Sequence, residues 1–234
     1  MTDAALDSMS LQAVTAEYGE SGLRDRFARE IDGFDPADRT RLERALGLAS
    51  RLHRHDRRIR EPYVNHLLRV AIRIRRYYQV SDVDVLVAAL LHDSAEDHPA
   101  ELAGGAPQDP TGAAFGVLTR DFGPCVAGLV RSVTNPTYDA ERDEHEQYRE
   151  HVAHSLDADP WARVIKVSDF TDNGVSVVRA LGPKAYRWAV KYRPLVPVLR
   201  ELVARPDTPL TGDVKQHIFD QLDLAEERFR AILG

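Results

Sequence analysis

Val83-Asp84-Val85-Leu86-Val87-Ala88-Ala89-Leu90-Leu91-His92-Asp93-Ser94-Ala95-Glu96-Asp97-His98-Pro99 is the stretch that sets both fold class and chemistry. Ser81 or Asp82 reads as an N-cap, the apolar run after it as a buried helix, and Pro99 as lying just beyond that helix. On a continuous helix His92 and Glu96 stand four apart, as do Asp93 and Asp97, so all four side chains fall within about one turn. Three carboxylates and two histidines then crowd residues 92–98. No Lys or Arg occurs from Tyr77 through Thr119, whereas Asp82, Asp84, Asp93, Glu96, Asp97, Glu101 and Asp109 are all acidic. A divalent cation is the simplest resolution, because it inverts the local charge and keeps the carboxylates ionised.

Working outward, helical periodicity dominates. Asp35-Pro36 starts a helix running to about His55, with Leu42, Leu46, Ala49 and Leu52 on one stripe. Pro62 opens another, in which Leu67, Val70, Ala71 and Ile74 recur at three and four. Residues 100–112 read as loop, and helices follow at about 111–121, up to Val133, and from about Asp139. Asp159-Pro160 opens a further helix at Trp161, Gly182-Pro183 and Pro206 punctuate the C-terminal helices, and the last spans about Gly212 to Leu233. Period-2 alternation is absent, so the expected fold is all-α, a single helical bundle of about eight to eleven helices. Residues 1–22 read as a weakly structured arm and 23–234 as one domain, with a motif-bearing core over 42–175 and C-terminal helices over 176–234. Trp161 and Trp188 are expected in the core.

Composition narrows the class. At 234 residues and 43% hydrophobic content, the chain can bury a sizeable core. A net charge of −6 argues against general nucleic-acid binding, which favours a basic surface. One cysteine, Cys125, excludes an internal disulfide framework and fits a reducing compartment. The N-terminus lacks a basic and an apolar leader region, and no apolar run is long enough to span a bilayer. A cytoplasmic protein without a membrane partner is expected; self-association is left open.

Arginine forms a second concentration. Arg51, Arg54, Arg57, Arg58, Arg60, Arg69, Arg73, Arg75 and Arg76 fall within residues 51–76, directly before the acidic stretch. Guanidinium forks hold phosphates, and a metal can polarise a phosphoryl oxygen and supply hydroxide near neutral pH. Of these, Arg54, Arg57 and Arg58 are candidates for phosphate contact, while Arg69, Arg73 and Arg76 share helical spacing and read as a solvated face. His66, and Asp169 with Asn173 four residues on, are further candidates. Two histidines with two aspartates suit manganese, iron or zinc better than calcium. His98, His145, His151, His154 and His217 show no ligand-like pattern and are read as surface.

His66, His92-Asp93 and Asp169 have the order and separations of the H…HD…D signature, and the chain resembles HD-superfamily phosphohydrolases. It is most similar to the (p)ppGpp hydrolase domain of RelA/SpoT homologues and to stand-alone small alarmone hydrolases. The resemblance rests on Glu61-Pro62-Tyr63-Val64-Asn65-His66, on Ala88 to Asp97, and on Val164 to Asp169 with Asn173. It implies that His66, His92, Asp93 and Asp169 bind one divalent ion, manganese first and Fe2+ or Zn2+ next. It further implies that Glu96 and Asp97 handle the attacking water, and that Arg57, Arg58, Tyr63 and Asn173 line a pocket for a nucleotide substrate. The implied reaction removes the 3′-pyrophosphate of ppGpp or pppGpp.

The chain also departs from that pattern. Ile59 and Arg60 replace a small polar residue and a glycine, Leu67 replaces a proline, and His53 stands one position out of register with the family's upstream histidine. Asp169-Phe170-Thr171-Asp172-Asn173 has lost a basic and an aromatic residue. These changes touch the nucleotide-facing shell and spare the metal set. The alternatives are therefore hydrolysis of another nucleotide, such as NADPH or a nucleotide monoester, or a nucleotide-binding module without turnover.

Overall fold

The computed structural model describes residues 7–58, 61–176 and 182–234, so Ile59, Arg60 and the first six residues of the expected arm lie outside the described residues. It forms two compact units, one ending at Val130 and one running from Arg131 to Gly234. Helices dominate both, as the periodicity predicts. Among the described residues the exception is a two-residue antiparallel ladder, β1 (Arg57–Arg58) with β2 (Glu61–Pro62).

In the first unit, α1 (Leu11–Ile31) corrects the expectation of an arm. Ser10 caps it by accepting from the Ala13 N–H, and Leu11, Val14, Leu23 and Phe27 are buried. Gly19 and Gly22 read as breakers for different reasons. Gly19 is a kink, with φ 62°, that joins two helical segments. Gly22 lets the turns close up, since a Cβ there would meet the Tyr18 Cβ at 2.4 Å.

α2 (Pro36–Leu52) is capped by Asp35, whose carboxylate accepts from the Ala37 and Asp38 N–H groups at 2.9 and 3.0 Å. α3 (Val64–Ile72) is buried along its whole length, which is why its apolar positions alternate with so few polar ones. It packs on α1 and on α4 (Val83–Leu91), and α4 packs on α2. After α3 the chain widens into a π-helical segment, Arg73–Tyr77, in which the Tyr78 N–H reaches the Arg73 carbonyl at 3.0 Å. Asp82 caps α4, accepting from Asp84 and Val85 N–H. Val85, Leu86, Val87, Leu90 and Leu91 of α4 are at most 1% exposed. Each such side chain contributes about 1.5–3 kcal/mol on burial, so α4 is a firm anchor for the polar residues that follow it. Two short helices, α5 (Ser94–Asp97) and α6 (Pro99–Ala103), then lead to α7 (Pro110–Phe122). α6 occupies part of the expected loop. The division between the units falls within α8 (Pro124–Val133).

The second unit contains α9 (Glu144–Ser155), α10 (Pro160–Ser176), α11 (Pro183–Tyr192), α12 (Leu195–Ala204) and α13 (Gly212–Leu233). α13 packs against α10, α11 and α12. Its Phe229 meets Phe170 of α10 edge-on at 6.2 Å, and Phe170 also meets Tyr192 of α11 at 6.1 Å. Arg163 is 1% exposed and fully engaged: it donates to both carboxylate oxygens of Asp207 and to the Leu156 and Asp157 carbonyls. Trp161 and Trp188, expected in the core, are only half-buried.

Candidate metal centre

The motif of the opening stretch is not one continuous helix. α4 ends at Leu91, His92 is its C-cap, Asp93 precedes α5, and the chain turns at His92-Asp93 before helical bonding resumes. The turn keeps the i to i+4 relation, because the Asp97 N–H still donates to the Asp93 carbonyl at 2.8 Å. It also frees the last carbonyls of α4 to act on side chains. Nδ1 of His92 donates to the Ala89 carbonyl at 2.9 Å, which leaves Nε2 as the lone-pair nitrogen.

That nitrogen faces a carboxylate oxygen, Asp93 Oδ2, at 3.1 Å. His66 Nε2, from the first turn of α3, faces the same oxygen at 3.8 Å. Both rings are buried, and their centroids lie 5.3 Å apart. A lone pair set against an ionised carboxylate in a buried site is repulsive unless a cation lies between them. The 3.1 Å separation fits a shared ion, and the 3.8 Å one lies a few tenths of an ångström beyond it. With metal–ligand bonds of about 2.0–2.2 Å, neighbouring ligand atoms sit about 2.9–3.5 Å apart. The residues present therefore suit a divalent ion of the borderline class, with two imidazoles and a carboxylate as donors.

Tyr63 secures the carboxylate. Its hydroxyl donates to Asp93 Oδ2 at 2.7 Å, and its ring edge packs on His66 with centroids 5.7 Å apart. Burial, and then the Asp93 charge, raise the phenol's pKa well above its ordinary value, so it remains a donor. Glu96 and Asp97 lie exposed beside this centre. Although Asp97 reaches solvent, desolvation by the protein mass around it, and then the negative charges of Asp93 and Glu96, push its carboxyl up to about 7. A carboxylate tuned to that range is suited to exchanging protons at neutral pH.

In the second unit, α10 sets Asp169 and Asn173 one turn apart, as their spacing predicts. Asn173 Nδ2 donates to Asp169 Oδ1 at 2.8 Å, while Lys166 Nζ lies 3.3 Å from Oδ2. All three side chains are buried. Asp169 is thus oriented by two partners on its own helix.

The arginine-rich segment separates into unlike parts. Arg57 is exposed on β1, and Arg58 lays its guanidinium 5.4 Å from the Tyr63 ring centroid. Arg54 donates to the Arg51 carbonyl and pairs with Glu101. Arg69 and Arg73, expected on a solvated face, are instead 1% and 6% exposed. Arg69 forms a two-pronged bond with Glu61 at 2.9 and 2.8 Å, fixing β2 to α3. Helical spacing of charge does not reveal a partner eight residues upstream.

His98, read as surface, is also corrected: it is half-buried, and its Nε2 lies 2.6 Å from Asp56 Oδ2. The same oxygen is 2.8 Å from Nδ1 of His53, a residue only 2% exposed. No local pattern joins this trio, whose members are 45 residues apart at the extremes, His53 to His98. The available signal is the run His53-Arg54-His55-Asp56, which sets His53 and Asp56 three apart in the turn before Tyr63.

An HD-domain family model matches residues 45–158. Among curated relatives, guanosine-3′,5′-bis(diphosphate) 3′-pyrophosphohydrolase MESH1 of Drosophila melanogaster is 34% identical over 131 residues, covering 55% of this chain and 64% of that protein. MESH1 of Homo sapiens is 30% identical over 136 residues, covering 57% of this chain and 67% of that one. The chain thus spans less than two thirds of the Drosophila relative's length. A solved structure, described as a metazoan ortholog of SpoT that hydrolyzes ppGpp and plays a role in starvation responses, aligns with TM-score 0.58 at 26% identity. That alignment covers 82% of this chain and 94% of that one. With the paired imidazoles, the His92-Asp93 turn and these relatives taken together, the chain belongs to the HD-domain family, among its MESH1- and SpoT-like members.

Proposed function

We propose that this protein is a divalent-metal-dependent hydrolase that removes the 3′-pyrophosphate from ppGpp or pppGpp. The observation that carries the reading is the convergence of His66 Nε2 and His92 Nε2 on Asp93 Oδ2, with an acid of pKa about 7 one turn away. His66, His92 and Asp93 hold the ion in this reading, and Asp169 completes the set, as the H…HD…D order implies. Manganese is the proposed metal, with iron and zinc as the other ions this donor set accepts.

When bound, the ion supplies Lewis-acid chemistry at the phosphoryl oxygen and acidifies water. Asp97 takes a proton from the attacking water, and Glu96 orients that water. Tyr63 and Asn173 hold Asp93 and Asp169, while Arg57 and Arg58 contact the nucleotide. Water attacks the phosphorus bonded to the ribose 3′-oxygen, and the P–O3′ bond breaks. The 3′-oxygen leaves with a proton, giving pyrophosphate and the 5′-di- or triphosphate nucleoside. The reading places the protein in the cytoplasm.

Phe170 and Asp172 stand where the resemblance expects a basic and an aromatic residue, and both are buried in the second unit. The nucleotide shell therefore differs from the family's pattern, which favours another phosphorylated nucleotide as the second reading. The test is pyrophosphate release from ppGpp by metal-free protein supplied with Mn2+, run beside NADPH and nucleotide monophosphates. Release from ppGpp well above the others supports the reading. Inactivity on ppGpp under Mn2+, Fe2+ and Zn2+ sinks it, and faster turnover of NADPH or a monophosphate moves the activity to that substrate.

A further inference from the structure

We propose that Asp56, with His53 and His98, is a positioning bracket that holds Tyr63, and through it Asp93, in register with the Glu96-Asp97 turn. The inference rests on the metal centre of the proposed function, and it assigns three residues to which that reading gives no task.

The bracket is a closed circuit. One oxygen of Asp56 accepts from His53 Nδ1 at 2.8 Å and from His98 Nε2 at 2.6 Å. Asp56 also holds Tyr63 through the backbone, its carbonyl accepting the Tyr63 N–H at 3.2 Å. The His53 ring stacks on the Tyr63 ring, with centroids 4.6 Å apart and planes within 11°. Tyr63 donates to Asp93, the Asp93 carbonyl accepts from the Asp97 N–H, and His98 follows Asp97 directly. His98 closes the circuit by returning to Asp56 and by meeting His53 edge-on at 4.7 Å.

The trio resembles a metal site in composition, but its spacing says otherwise. Separations of 2.6 and 2.8 Å are hydrogen-bond lengths, shorter than the about 2.9–3.5 Å between ligands that share an ion. Both imidazoles therefore donate to Asp56. Burial lowers the His53 pKa. At Asp56 burial pulls upward, but the hydrogen bonds from His98 and His53 outweigh it and hold the carboxyl below its ordinary range. That pairing gives a neutral His53 with its proton on Nδ1, facing an ionised acceptor.

Outer groups that orient metal ligands typically cost about ten- to a hundredfold in metal affinity or activity when removed. In the full-length protein, Asp56→Ala is expected to weaken Mn2+ binding about tenfold by calorimetry. It should lower kcat on ppGpp about tenfold or more, with KM within about twofold. Asp56→Asn keeps an oxygen that can accept in the same place and should recover most of both losses, a rescue that a purely structural role does not predict. His98→Gln, which keeps an N–H donor, should exceed His98→Ala in the same way.

Several outcomes overturn the bracket. Asp56→Ala that matches wild type in Mn2+ affinity and kcat removes it, as do equal losses in Asp56→Ala and Asp56→Asn. A second Mn2+ per wild-type chain that Asp56→Ala abolishes makes the trio a metal site instead. Wild type that binds no ion or releases no pyrophosphate is a failure of the functional reading, a different result. In that case nitrogen NMR of metal-free protein still decides the bracket: a His53 protonated on Nδ1 in wild type and redistributed in Asp56→Ala supports it, and a proton on Nε2 in wild type refutes it.

Discussion

Two clusters of histidine and aspartate lie in the first unit, and they differ by about half an ångström to an ångström in spacing. At His66, His92 and Asp93 the nitrogen–oxygen separations are 3.8 and 3.1 Å; at His53, Asp56 and His98 they are 2.8 and 2.6 Å. The first set is too wide for good hydrogen bonds at one of its members and has the lone pair of His92 turned toward a carboxylate. The second is closed by its own protons. In the proposed reading the same residue types serve two chemistries, and what separates them is the partner of the ring N–H, a backbone carbonyl at His92 and a carboxylate at His53 and His98. Ala89 fixes the His92 tautomer and leaves Nε2 facing the Asp93 carboxylate, whereas Asp56 takes the donors of His53 and His98 itself.

Removing a proposed ion ligand should have the largest effect. His92→Ala and His66→Ala are expected to abolish ion binding and to reduce pyrophosphate release to background, with circular dichroism reporting a retained helical fold. Full activity in either variant contradicts the assignment. Next in size is Asp97→Asn, expected to keep the ion while lowering kcat by about 10²–10³, the range of a lost general base. Calorimetry beside steady-state rates checks both halves of that statement. Tyr63→Phe sharpens the link between the clusters. It removes only the hydroxyl bonded to Asp93 and leaves the ring for His53 to stack on, so Mn2+ affinity should fall about tenfold or less. An unchanged affinity would show that the Tyr63 bond does not orient Asp93.

The smallest expected effect concerns pH. Asp97 titrates near 7 in the metal-free fold against an ordinary value of 3.8, so the folded state binds more protons than the unfolded one between those values. Stability of the metal-free protein should therefore fall as pH rises from about 4 through 7, and level off above. Saturating metal neutralises the same charges and should flatten that slope. Thermal midpoints across this window, with and without Mn2+, measure it; a metal-free midpoint that climbs from pH 5 to 7 has the opposite sign and refutes the expectation.

Legibility in the sequence followed the range of the interactions. Helix starts at Pro36, Val83 and Gly212, and the one at Pro160 to within a residue, are readable because their caps and periodicity are local. The Asp169–Asn173 pair was readable too, being one helical turn. What escaped depends on distant partners. The paired glycines concealed α1, whose burial is decided by its packing on α3. Arg69 looked solvated until Glu61 was brought to it, and the break at His92-Asp93 interrupts a run that periodicity alone continues. The His53–Asp56–His98 trio joins one turn to another 42 residues on, from Asp56 to His98, with no repeat or motif to announce it.

The proposed hydrolysis depends on one ion held at His66, His92 and Asp93, and a single titration decides whether it does. Metal-free protein is titrated with Mn2+ while bound ion and pyrophosphate release from ppGpp are measured in the same samples. One tightly bound ion per chain is expected, with activity rising in proportion to occupancy and both lost in His92→Ala. Activity that is present before any ion is bound, or binding that survives His92→Ala unchanged, would contradict it.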